Sequence, residues 1–137
     1  MSIIEDRLSM LLDQANVRLI ETPKLGATFN AVYHAESRTI FVRWGIDPVT
    51  RRCAIAHELG HAIYGDTESS PLTERRADKW AATNLITLDD VNVAAENNDG
   101  VLSAMAADIG VTPHMLELWF ELHQAGSIPH QHSCLKY

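Results

Sequence analysis

A helix that is apolar on nearly every side cannot lie at a surface, and this chain encodes one between Asp47-Pro48 and Gly65. Asp-Pro reads as an N-cap followed by proline at the first helical position, and the glycine as a C-terminal stop. Cys53, Ala54, Ile55, Ala56, Leu59, Ala62 and Ile63 fill the interval, which predicts burial on most sides. Within it stands His57-Glu58-Leu59-Gly60-His61, and buried polar groups of this kind need partners. Residues four apart on a helix lie one above the other, so His57 and His61 point the same way. Two neutral imidazoles at that spacing can grip one zinc ion and leave room for a third ligand and a water. Glu58, next to the first histidine, is suited to take a proton from that water. The chemistry implied is metal-assisted hydrolysis, most often of a peptide bond. Chance alone would give this pentapeptide pattern in roughly one shuffled chain in fifty, so the helical context and a third ligand must support it.

The third ligand does not follow the extended histidine motif of metzincins, because Tyr64 stands where that motif needs glycine and Thr67 where it needs histidine. Ser70-Pro71 opens a second helix, from about Pro71 to Leu85. On it Glu74 and Asp78 are four apart and share a face with Ala77, Ala81 and Leu85, whereas Arg75, Arg76 and Lys79 point away, towards solvent. The small alanines would let this helix approach the first closely. Glu74 then completes a His/His/Glu set, and Asp78 can accept the second ring N–H of a ligating histidine. Asp78, Asp66 and Glu68 are the other acids that could fill the third position, and Glu74 could instead pair with Arg75 or Lys79.

His57-Glu58-Leu59-Gly60-His61 followed by Glu74-Arg75-Arg76-Ala77-Asp78-Lys79-Trp80-Ala81-Ala82 resembles the ImmA/IrrE metallopeptidases, which pair an HELGH helix with an E-x-x-A-D/N-x-F-A segment. The resemblance is good from about Val17 to Val91 and loose in the C-terminal third. Trp80 replaces the usual phenylalanine, and Leu85-Ile86-Thr87 the usual Leu-Met-Pro. The resemblance implies an α+β, zincin-like fold with a small antiparallel sheet packed on the active-site helix, and a gluzincin-like ligand set. It implies a zinc endopeptidase with His57, His61 and Glu74 as ligands, Glu58 as catalytic base and Asp78 orienting a ligand. By analogy the substrate is a helix-turn-helix repressor of a mobile element or stress regulon. The rival reading is a zinc-stabilised antirepressor that binds such a repressor without cutting it; a small-molecule amidase is a third.

A chain of 137 residues, 46% apolar, suits one domain spanning residues 1–137. Residues 1–87 hold the sheet and zinc-site helices, 88–125 a helical part and 126–137 a tail. The N-terminus reads as a capping box, Ser2-Ile3-Ile4-Glu5, opening an amphipathic helix to about Ala15 rather than a secretory signal; no apolar run is long enough for a bilayer. Two cysteines make no disulfide framework, so the expected home is the cytoplasm. A strand near Val17–Glu21 precedes a hairpin of Thr28–Tyr33 and Arg38–Arg43. In zincins the sheet edge beside the cleft pairs with an extended substrate.

Residues 88–137 carry seven acids against Lys136 alone, so almost all of the net charge of −7 resides there. Leu102–Ile109, Gly110-Val111-Thr112 and a helix from Pro113 to Ala125 have the cadence of a helix-turn-helix, but the second helix holds Glu117 and Glu121 and no lysine or arginine. Phosphate contacts need cations, so no direct nucleic-acid binding is expected, and Met115, Leu116, Trp119 and Phe120 read as core. A basic protein partner is compatible with the acidic half. Tyr33, His34, Tyr64, His114 and His123 are the candidates to steady an oxyanion, His123 slightly ahead, and His130, His132 and Cys134 read as a polar tail.

Overall fold

The computed structural model describes residues 2–26 and 28–126. The tail with His130, His132 and Cys134 lies outside the described residues. The elements run α1 (Ile3–Ala15), β1 (Arg18–Thr22), β2 (Ala31–His34), β3 (Thr39–Arg43), α2 (Pro48–Tyr64), α3 (Pro71–Leu85), α4 (Leu88–Asn97), α5 (Leu102–Ile109) and α6 (Pro113–Gln124). The fold is α+β and zincin-like, a three-stranded sheet against helices.

The sheet order is β1-β3-β2, with β1 parallel and β2 antiparallel to β3, so the sheet is mixed rather than purely antiparallel. The central strand is the most apolar: Ile40 and Val42 are fully buried, and Thr39 with them. The hairpin strand is shorter than its sequence suggests. Arg43 donates through its guanidinium to the carbonyls of Leu25, Gly26 and Phe29, and Phe29 N–H donates to the Gly26 carbonyl at 3.0 Å. These bonds draw Leu25, Gly26 and Phe29 together around Arg43, and pairing starts only at Ala31.

α2 is the hub, lying between the sheet on one side and α3 on the other, with Ile55, Ala56 and Leu59 fully buried and Gly60 buried beside them. Its ends are those the sequence implies: Asp47 accepts from Thr50 N–H at 2.9 Å, Pro48 leads, and Gly65 at φ 69° stops it. α3 ends where Ile86 turns extended, and Thr87 immediately caps α4 in a reciprocal capping box with Asp90. Arg7 locks that junction, donating to the Leu85 carbonyl at 2.6 Å and to Asp90 at 2.6 Å. Arg52 does the same on the opposite side, joining Glu5 of α1 to the Gly110 carbonyl between α5 and α6.

α5 and α6 form a packing unit. Met115, Leu116, Trp119 and Leu122 are buried, and α6 lies against α3 and α5. Cys53 sits beside Thr112 and Met115, and burial pushes its thiol pKa up, as expected of a packed rather than a reactive cysteine. No helix among the described residues is long and apolar enough to cross a membrane.

Candidate metal centre

His57 and His61 project from the same face of α2, with ring centroids 4.8 Å apart and planes nearly perpendicular. α3 crosses α2 closely at this level. A Cβ on Gly60 would lie 2.9 Å from both the Cα and the carbonyl oxygen of Ala77, so only glycine allows this approach. The crossing brings Glu74 over both rings: His57 Nε2 is 2.8 Å from Glu74 Oε1 and His61 Nε2 is 3.0 Å from Glu74 Oε2. Ser69 donates to the second of these oxygens at 3.0 Å.

The far ring nitrogens are held as well. His57 Nδ1 lies 2.6 Å from Asp78 Oδ1, and His61 Nδ1 lies 3.0 Å from Asp66 Oδ2. Each imidazole thus meets a carboxylate at both nitrogens, although a neutral ring has only one N–H to donate. Two states satisfy that arrangement: an imidazolium, or a ring whose Nδ1–H donates outward while the Nε2 lone pair binds a cation. Nitrogen and carboxylate donors converging in this way suit a divalent metal ion. His57, Glu58 and His61 form a group whose donor atoms all lie within 4.8 Å of one another and could hold a metal ion.

Glu58 stands slightly apart from Glu74 in its contacts. Its Oε1 accepts the Tyr33 N–H from β2 at 2.8 Å, while Oε2 lies 3.9 Å from His57 Nε2. Burial raises its pKa, against the opposing pull of His57. Burial alone would lower the pKa of His57, but hydrogen bonds to Asp78 and Glu74 outweigh it and raise the value to about 9. Burial would likewise raise Glu74, yet its bonds to His57 and Ser69 bring it below the usual carboxylate range.

The sign for metal uptake follows. A cation must displace the proton that His57 carries below about pH 9, so metal affinity should climb about tenfold per pH unit from neutrality and level off near that pH. Competition against a chromophoric chelator over this range checks the slope.

The sequence does not reveal the part played by Asp66. Gly65 N–H bonds to the Ala62 carbonyl at 3.2 Å and Asp66 N–H to the His61 carbonyl at 3.0 Å, the pattern of a Schellman stop. That turn folds Asp66 back over the helix onto His61. The readable signal is a glycine stop four residues after a histidine with an acid directly behind it. Arg76 departs from its solvent assignment, bonding Asp66 Oδ1 at 2.6 Å and covering the Tyr64 ring at 4.3 Å.

A cleft of about 590 Å³ opens beside the centre, walled by Phe29, Ala31, Val32 and Tyr33 on one side and by Asp66–Ser69 and Glu74 on the other. Glu58 and His61 form its floor, and Tyr33 and His34 are the oxyanion candidates that line it. His123 instead stacks on Trp119, centroids 4.9 Å apart.

A minimal zincin-like α+β fold with a His-Glu-x-x-His helix defines a metallopeptidase class. The sequence profile of the IrrE N-terminal-like domain, a peptidase family, matches residues 12–118, and the chain belongs to that family. The match runs beyond the strongly resembling segment, through α5 and into α6. A search of curated proteins found no match. Membership supports a metallopeptidase-type function.

Proposed function

We propose that this chain is a zinc-dependent endopeptidase that cleaves a helix-turn-helix transcriptional repressor. The observation that supports the catalytic reading is the convergence of His57 Nε2 and His61 Nε2 on the two oxygens of Glu74 while carboxylates hold both Nδ1 atoms. His57, His61 and Glu74 are the ligands in this reading, and Asp78 and Asp66 fix the two rings. Zinc bound there supplies a Lewis acid that polarises a carbonyl and lowers the pKa of a water to about 7.

Glu58 is the general base. One oxygen is anchored on Tyr33 N–H and the other faces the histidines, so the carboxylate is aimed without being consumed as a ligand. Burial raises its proton affinity, as a base working near neutral pH requires. β2 borders the cleft and has β3 as its only strand neighbour among the described residues; on its outer edge the Tyr33 N–H is taken by Glu58, and the rest of that edge is left for an extended peptide.

Five carboxylates and no lysine or arginine stand among the described residues lining the cleft. Such a wall favours neutral or basic segments, in keeping with a DNA-binding substrate. A cytoplasmic home fits the packed free thiol of Cys53. The test is incubation of the zinc-loaded protein with the helix-turn-helix protein encoded beside its gene, read by intact-mass spectrometry. Two complementary fragments summing to the repressor plus one water are expected. An intact repressor in a stable complex would instead favour the antirepressor.

A further inference from the structure

The two histidines are held by unequal carboxylates. The side chain of Asp78, behind His57, is 46% exposed and makes no ion pair with a lysine or arginine among the described residues, whereas the side chain of Asp66, behind His61, is only 7% exposed and carries Arg76 on its other oxygen. The Arg76 Cζ lies over the Tyr64 ring, 4.3 Å from its centroid, and its Nε is buried without an acceptor. Leaving a buried donor unpaired is unfavourable, so the guanidinium is held by the ring and by Asp66 rather than by a full set of hydrogen bonds of its own.

We infer that Arg76 is a positioning residue of the metal centre: it clamps Asp66 and thereby fixes the ring of His61 towards Glu74. Arg76 and Glu74 are two residues apart on α3, while His61 and Tyr64 lie in the last turn of α2 and Asp66 just past its glycine stop. The clamp therefore joins the C-terminal turn of one helix to the first turns of the next, at the level where the two helices present donors to one ion. Without it, Asp66 on its Schellman turn has no cation to oppose its charge, and the His61 ring can swing about its Cβ–Cγ bond. This inference rests on the reading of His57, His61 and Glu74 as ligands.

The test measures zinc affinity by chelator competition at fixed pH, together with the visible spectrum of the cobalt-substituted protein. The proteins are the native form, Asp66→Asn, Arg76→Gln, Arg76→Lys and the Asp66→Asn/Arg76→Gln double variant. Asp66→Asn should weaken zinc about 10–100-fold. Arg76→Gln should weaken it roughly tenfold and shift the cobalt bands, which a purely fold-stabilising role would not move. Arg76→Lys keeps a cation for Asp66 without the planar fork of the guanidinium, and should recover part of the affinity lost in Arg76→Gln. The double variant should bind no more weakly than Asp66→Asn alone, as expected when one residue acts through the other. Native affinity in Arg76→Gln, an Arg76→Lys no better than Arg76→Gln, or losses that multiply in the double variant, would overturn the inference while leaving the metal centre intact. A native protein that takes up no zinc would overturn the metal centre as well, so the two failures are distinct.

Discussion

Glu58→Gln should cut peptide hydrolysis by about 10²–10⁴-fold while zinc uptake stays at or above the native level. Glutamine keeps the size of the side chain and its carbonyl oxygen can still accept the Tyr33 N–H, so the local packing survives. What is lost is the carboxylate beside the histidines that the proposed ligand set leaves free to accept a proton. Removing a buried carboxylate whose charge is disfavoured by burial should not weaken the fold, so the melting temperature serves as the control. The decisive pairing is turnover against bound zinc per protein. Unchanged turnover would remove Glu58 from the mechanism; loss of zinc would make it a ligand and move Glu74 out of that role.

Gly60→Ala should lower stability by about 1–3 kcal/mol, on the order of 5–15 °C in melting temperature for a domain of this size. The added methyl would meet the Cα and carbonyl oxygen of Ala77, both 2.9 Å away, and backbone cannot rotate aside as a side chain can. The helices must separate, which carries Glu74 and Asp78 away from the two rings they now touch. Zinc affinity should therefore fall together with stability. A variant that melts early yet binds zinc as the native protein does would show that Glu74 is not needed at the ion. Thermal unfolding with and without zinc separates the two effects.

The helical frame of this fold was readable because its stops are local chemistry. Pro48, Pro71 and Pro113 open three helices behind side-chain caps, and Gly65 and Gly110 close two at positive φ. The shared face of Glu74 and Asp78 was equally readable, since helical periodicity alone sets it. The place of β1 was not: strand partners are chosen by tertiary packing, and a five-residue strand with a mostly exposed pattern carries no record of its neighbour. Arg76 escaped for a related reason. Spacing on α3 turns it away from the core, but the backfolded turn at Asp66 meets it there, and a contact between two chain segments leaves no trace in the periodicity of either.

The tether between Tyr33 and Glu58 joins two regions that need not open together. The donors of His57, His61 and Glu74, with Asp66 and Asp78 behind them, lie on one helical hairpin whose crossing is fully buried at Ala77. Glu58, the proposed base, is steadied from β2, a four-residue strand paired on a single side among the described residues. Short edges fray at a small fraction of the global unfolding free energy, while buried helix crossings open only with the whole domain. Opening of β2 frees the carboxylate and dissolves the substrate edge but leaves the donor atoms assembled. In the proposed mechanism, retention of the ion and competence to hydrolyse would thus belong to different cooperative units of the same small protein.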